Sequence, residues 1–212
     1  MKTPVLPPRT IERLSEYRRS LLEYLAGGKP YIFSHELAAL HHYTPEQVRR
    51  DIMLIGYSSF QRKGYDVKKL IRRIAGILDT PRGINVAVVG FGNLGHAITN
   101  YFRGKRSKLN IIASFDNDPG KVGKVTLGVV CYPVEQLHEI IREKRISIAV
   151  LTVPPEAARE ITARLVHAGI RGILNYTSVP LQVPENVFVE SYDFITFLEK
   201  VAYFVKLSGE ME

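Results

Sequence analysis

Residues 90–95 read Gly-Phe-Gly-Asn-Leu-Gly, directly after the β-favouring run Val86-Ala87-Val88-Val89. The next acidic side chain is Asp116, at the end of the apolar run 111–115. Strand, glycine-rich turn, helix, strand and acid in that order form the dinucleotide-binding fingerprint. Gly90 permits the tight turn, Gly92 lets the backbone approach a pyrophosphate, and Gly95 lets the helix lie close to the strand. Phe91, Asn93 and Leu94 complete the loop, and the helix N-terminus turns free N–H groups toward the phosphates. A carboxylate at Asp116 suits a free ribose 2′-hydroxyl and repels a 2′-phosphate, so NAD(H) is favoured over NADP(H).

Such a loop needs a parallel sheet to hold it. Strands are expected at 84–89, 110–115, 129–131, 147–152, 172–174 and 187–189, with helices between them, which is a Rossmann arrangement. Ligands bind at the carboxyl ends of such strands. That gathers Gly90, Asp116, Thr152-Val153-Pro154 and Asn175-Tyr176 around one crevice.

A dehydrogenase would also need a substrate domain and a proton donor beside the nicotinamide. The Rossmann unit consumes nearly all of the chain after residue 80, and no such constellation stands at a strand end. His96 lies in the phosphate loop, and His138 and His167 lie on helices. The nucleotide reads as a signal, and the protein as no enzyme.

Of the formal charge of +8, residues 1–82 carry +7 and residues 83–212 carry +1. A small basic domain ahead of a near-neutral nucleotide-binding domain suggests an anionic macromolecular partner. Thr44-Pro45-Glu46-Gln47 is a helix start with cap, first-turn proline and capping box. Val48, Ile52 and Ile55 then share an inward face, while Gln47, Arg50 and Leu54 point largely outward with Arg49 flanking. Ahead of it, Ser34 caps a short helix holding Leu37, Ala38 and Leu40, and His41-His42-Tyr43 is a tight link. Short helix, turn, second helix with outward Gln and Arg is the helix-turn-helix pattern, although ordinary helical pairs share it. A first helix carries Ile11, Leu14, Arg18, Leu21, Leu22 and Leu25 mostly on one stripe. Residues 56–65 read as a β-hairpin wing whose basic tip, Arg62-Lys63, can reach DNA backbone or minor groove.

The boundary falls at residues 79–83, where Pro81 and Gly83 stop an amphipathic helix. The expected domains are 1–79, 80–191 and a terminal helix in 192–212. That last helix is apolar nearly all round, through Phe194, Ile195, Phe197, Leu198, Val201, Ala202, Phe204 and Val205. It must be buried on several sides, against a second subunit or against the chain's own sheet.

With 45% hydrophobic and 24% charged residues, the 212-residue chain has ample core. It has no apolar run of membrane-spanning length and no secretory signal. Its one cysteine, Cys131, sits in a strand, which leaves no disulfide and no cysteine-rich metal site. His41 and His42 lack the supporting ligands of a metal pair. These features fit a cytoplasmic protein that binds no metal and no membrane.

In order along the chain, RLSEYRRSLLEYL (13–25), QVRRDIMLIG (47–56), KGYDVKKLIRRI (63–74), VVGFGNLGHAI (88–98), FDNDPGKVG (115–123), AVLTVPPEAA (149–158), GIRGILNYTSVPLQVPENV (169–187) and YDFITFL (192–198) resemble the Rex redox-sensing transcriptional repressors. The resemblance implies an α/β chain with an N-terminal winged helix-turn-helix domain, a C-terminal Rossmann domain and a swapped terminal helix that makes a homodimer. It implies a palindromic double-stranded operator, bound when NADH is low and released when NADH binds, with NADH and NAD+ as regulatory ligands. By the same resemblance, Gln47, Arg49, Arg50, Arg62 and Lys63 contact DNA. Gly90, Gly92, Asn93, Leu94, Gly95 and Asp116 hold the dinucleotide, with Thr152, Val153 and Pro154 near its nicotinamide side. Arg19, Tyr101 and Asp193 link ligand, DNA-binding domain and swapped helix. The wing SSFQRKGYDV departs from the more glycine-rich family pattern. Two other classes stay open: a small NAD-dependent oxidoreductase, and a CoA- or nucleotide-binding module with a structural helical domain.

Overall fold

A computed structural model describes residues 5–58, 63–102 and 108–209. The chain divides into two compact units, Met1–Pro81 and Arg82–Glu212.

The first unit runs α1 (Pro8–Ala26), β1 (Tyr31–Ile32), α2 (Ser34–His41), α3 (Pro45–Leu54), β2 (Tyr65–Asp66) and α4 (Val67–Leu78). α1 packs on α4, and α2 on α3. Their common core holds Leu14, Leu21, Leu37, Ile52, Leu70 and Ile74, all fully buried. Thr44 caps α3 by accepting from the Gln47 N–H at 3.2 Å. His42 closes α2 in the left-handed region, φ 56°.

Three expectations change here. Ser34 is the first residue of α2 and not its cap; the helix start is held by Glu36, whose carboxylate accepts from the Phe33 N–H at 2.8 Å. The buried stripe of α1 is Thr10, Leu14, Tyr17 and Leu21, while Leu22 is exposed. Tyr17 is buried, and its hydroxyl reaches a buried partner, described below. Residues 56–58 form no strand. The strand after the loop, β2, instead pairs antiparallel with β1, Tyr31 opposite Asp66. Residues 59–62 of the expected wing, Arg62 among them, lie outside the described residues; Lys63 is exposed in a turn.

The second unit runs β3 (Ile84–Val89), α5 (Asn93–Phe102), β4 (Leu109–Asp116), β5 (Val125–Thr126), β6 (Val129–Pro133), α6 (Leu137–Glu143), β7 (Ile146–Leu151), α7 (Pro155–Ala168), β8 (Gly172–Asn175), β9 (Phe188–Ser191) and α8 (Phe194–Gly209). The sheet order is β5-β6-β4-β3-β7-β8-β9, parallel throughout except for the short β5–β6 pair. The order reverses at β3, between β4 and β7, and that switch point is where an open α/β sheet opens its crevice. Alternation along β3 assigns its faces. Ala87 and Val89 join the core with residues of α6 and α7, such as Leu137 and Leu165. Val86 and Val88 join Phe91, Cys131 and Ile98 of α5. α8 is exposed from Phe194 to Ser208.

Candidate functional site

The phosphate loop is built by close backbone approach. Gly90 has φ 90°, and a Cβ there would stand 2.7 Å from the Thr152 carbonyl carbon and oxygen and 2.8 Å from Val153 N. A Cβ on Gly95 would meet the Gly90 carbonyl oxygen, with Val88 Cγ1 at 3.0 Å and Thr152 Oγ1 at 3.1 Å. Only glycine fits either place. Gly92 instead faces open space, with nothing within 4 Å of a Cβ. Thr152 Oγ1 donates to the Gly90 carbonyl at 2.7 Å and lies 3.1 Å from that of Val89, tying the ends of β3 and β7 together.

Asp116 is buried, and its carboxylate organises the loop. Oδ2 accepts from the Phe91 N–H at 2.8 Å and pairs with Lys121 at 3.0 Å; Oδ1 accepts from the Asp118 N–H at 2.9 Å. Burial alone would raise its pKa. The Asp118 N–H, the Lys121 ammonium and the Phe91 N–H outweigh burial and hold it below the usual carboxylate range. A carboxylate has about four acceptor positions, so capacity remains for a ribose hydroxyl.

A hollow of about 580 Å³ opens here. Gly90, Gly92, Asp116 and Thr152-Val153-Pro154 line one part of it. Beyond them it runs between Val134 after β6 and Ala157, Ile161 and Arg164 on α7. The expected crevice thus brings together the glycine loop, Asp116 and the 152–154 segment. It does not include Asn175 and Tyr176. Asn175 is buried and serves its own loop, bonding Val179 O at 3.0 Å, Ser191 Oγ at 3.2 Å and Thr177. Tyr176 stacks on Tyr192 and Phe194, with ring centroids 5.6 and 6.1 Å away. Within the loop, Phe91 is buried, Leu94 half-buried and Asn93 exposed. The sequence reading missed Lys121, Val134 and Arg164. The rule that ligands sit at strand carboxyl ends reaches Val134, which follows β6; the i, i+4, i+7 spacing of Ala157, Ile161 and Arg164 marks one helical face.

The basic unit presents its own site on α3. Val48, Asp51 and Ile52 face inward, and Arg49 and Arg50 outward. Arg49 is braced by Glu46 at 2.5 Å and Ser34 Oγ at 3.0 Å. Arg50 has no hydrogen-bond or ion-pair partner among the described residues. Gln47 does not point outward as expected. Its amide donates to Asp51 Oδ1 at 3.0 Å, so the second half of the capping box does not form. Asp51 also receives Arg13 at 2.6 and 2.7 Å and Tyr17 at 3.0 Å, and the buried carboxylate captures the donor.

Of the three coupling residues, Arg19 is exposed on α1, in the first unit. Tyr101 is exposed near the end of α5. Asp193 caps α8, accepting from the Ile195 N–H at 3.1 Å and the Thr196 hydroxyl at 2.8 Å.

A family profile described as "CoA binding domain" matches residues 82–179, and one described as "Putative DNA-binding protein N-terminus" matches residues 5–52. The redox-sensing transcriptional repressor Rex of Leuconostoc citreum (strain KM20) is 39% identical over 98% of this chain and 96% of its own. The chain belongs to the Rex family. That of Roseiflexus sp. (strain RS-1) is also 39% identical, over 94% of this chain and 90% of its own. Among solved structures, the Rex-family repressor RSP in complex with β-NAD+ and operator DNA superposes with a TM-score of 0.87, at 32% identity, over 99% of this chain and all of that one. Rex relatives are transcriptional repressors and not enzymes, which closes the oxidoreductase alternative. Among the described residues, no helix is long and apolar enough to cross a membrane, and no group of three or more His, Cys, Asp or Glu could hold a metal.

Proposed function

We propose that this chain is a homodimeric repressor that binds a palindromic duplex operator through α3 and releases it when NADH occupies the hollow beside Gly90. The observation that carries this reading is the loop itself. Gly90 and Gly95 admit no side chain, Gly92 faces open space, and a buried, ionised Asp116 closes the far side. RSP, the similar Rex-family repressor, has been crystallised with β-NAD+ and operator DNA and with β-NADH.

In this reading the pyrophosphate lies over residues 92–95, where the N-terminal N–H groups of α5 compensate its charge. Asp116 accepts the ribose diol. Asp116, Asp118 and Lys121 leave one net negative charge at that mouth, which disfavours a 2′-phosphate. Thr152, Val153 and Pro154 line the same hollow as Gly90 and Gly92 and take the nicotinamide side of the dinucleotide. Arg50, Arg49, Lys63 and Arg62 serve DNA. Gln47 serves by holding Asp51. Arg19, Tyr101 and Asp193 keep the coupling role, and the protein works in the cytoplasm.

NADH acts by preferring one of two dimer arrangements, and it can shift their balance only by its differential affinity for them. The deciding experiment selects a duplex from random sequence and titrates NADH and NAD+ separately in a gel shift. A palindrome released by NADH and retained with NAD+ is the expected result; binding indifferent to both would refute redox sensing.

Gly95→Ala should drive α5 off the Gly90 carbonyl and misplace the N–H groups that hold the pyrophosphate. Losing one charge-assisted hydrogen bond, worth about 1.5–3 kcal/mol, weakens binding about 10- to 100-fold. Calorimetric titration with NADH reads this directly, and wild-type affinity in the variant would show that α5 does not hold the phosphates.

A further inference from the structure

The outward face of α3 is not purely polar. Met53 and Leu54 are 70% and 45% exposed, on a helix whose opposite face is fully buried. With Glu46, Arg49 and Arg50 they line a shallow hollow. These residues follow the i, i+3/i+4, i+7/i+8 spacing of a single helical stripe. A lone exposed leucine needs no explanation. Two adjacent large apolar side chains beside two arginines, on the second helix of a helix-turn-helix, form a combined surface whose composition points to a ligand.

We infer that Met53 and Leu54 read thymine C5-methyl groups in the major groove of the operator, beside a guanine read by Arg50. This rests on the repressor reading above and specifies which bases it recognises. The major-groove edge of duplex DNA offers two features that match this stripe: the O6/N7 acceptors of guanine for a guanidinium, and the thymine methyl for an apolar side chain. Arg50 is the stripe's cation without a polar partner among the described residues, whereas Arg49 is held by Glu46 and Ser34. The positive charge concentrated in residues 1–82 suits an anionic partner such as the phosphate backbone.

Spacing sets the register. Arg50 precedes Met53 and Leu54 by three and four residues, about 4.5–6 Å along the helix axis. Base pairs repeat at about 3.4 Å. The methyl contacts therefore fall one or two base pairs from the guanine that Arg50 contacts, on the side toward which the C-terminus of α3 runs.

The test uses the full chain and its selected palindrome. Each thymine is replaced in turn by deoxyuridine, which removes only the methyl. Each guanine is replaced by 7-deazaguanine, which removes N7. The wild-type protein should lose about fourfold in affinity for each contacted methyl, the value of burying one methyl-sized group. The sensitive thymines should lie one or two base pairs from the guanine whose N7 matters to wild type but not to Arg50→Ala. Met53→Ala or Leu54→Ala should bind the thymine operator more weakly and be indifferent to deoxyuridine at the matching position. Both side chains are exposed, so the variants should fold as wild type does. Full wild-type affinity for every deoxyuridine operator would overturn the inference while leaving the repressor reading intact. Equal losses by the variants on thymine and deoxyuridine operators would also overturn it, and would assign this face to a protein contact. Failure to bind any duplex would overturn both readings.

Discussion

Asp51→Ala is expected to cost the N-terminal unit most of its stability. Asp51 has no solvent exposure and Arg13 little, and the two carboxylate oxygens receive the Arg13 guanidinium at 2.6 and 2.7 Å. The Tyr17 hydroxyl adds a bond at 3.0 Å and the Gln47 amide another at 3.0 Å. Removing one member of a buried pair leaves the other charge desolvated and unpaired, at about 3–5 kcal/mol. Domains of this size are stable by only about 5–15 kcal/mol. Chemical denaturation followed by circular dichroism should show the midpoint falling accordingly. A control separates pairing from packing: Arg13→Met combined with Asp51→Met removes both charges and should recover much of the loss. If the single and double variants lose equally, the ion pair is not the cause. Operator affinity should fall with the folded fraction, because Asp51 sits behind the face that carries Arg49 and Arg50.

The same cluster explains what periodicity alone missed. Hydrophobic spacing identified Val48, Ile52 and Ile55 as the inward face of α3. It assigned Gln47 outward, because a polar residue off that face reads as solvent-exposed. Asp51 lies on the inward face, and its partners Arg13 and Tyr17 come from a helix more than 30 residues away. A carboxylate that far from its counterion in sequence gives no local signal, and once buried it draws Gln47 in. The glycine loop behaves oppositely. Its requirements are local backbone requirements, so Gly90, Gly92 and Gly95 and the strand before them were readable at once. Asp116 was found by its distance from the loop. Lys121, which pairs with it, was not, because a lysine in a turn is ordinarily a solvated charge. Asn175 failed for a third reason: topology brings the end of β8 to the correct edge of the sheet, but its amide is consumed by the loop that follows.

Glutamate at both Val201 and Phe204 of α8 should convert the dimer proposed above to a monomer. Phe194, Ile195, Leu198, Val201, Phe204 and Val205 are each 56–68% exposed in the isolated chain. A helix so apolar around its circumference needs cover on several sides, and among the described residues its own unit leaves most of it exposed, with Tyr176 meeting Phe194 and Tyr192 meeting Phe197. Burying such a side chain fully is worth about 1.5–3 kcal/mol. Half a dozen on each of two copies exceeds the association cost of about 4–15 kcal/mol. Phe197, Val201, Phe204 and Val205 with Lys200 and Ser208 line a groove along one stripe. Placing two carboxylates in that stripe opposes its burial with two desolvated charges, and sedimentation equilibrium should show a shift of at least about 100-fold toward monomer. A variant that stays dimeric would mean that α8 is covered elsewhere. The monomer also tests the ligand site. The hollow beside Gly90 lies within one unit, so NADH should still bind. If its affinity instead falls with dimerisation, residues from the partner, with Asp193 the first candidate, complete the nicotinamide end. The monomer should also lose the palindrome, because two half-sites are read together only while α8 joins two copies of α3.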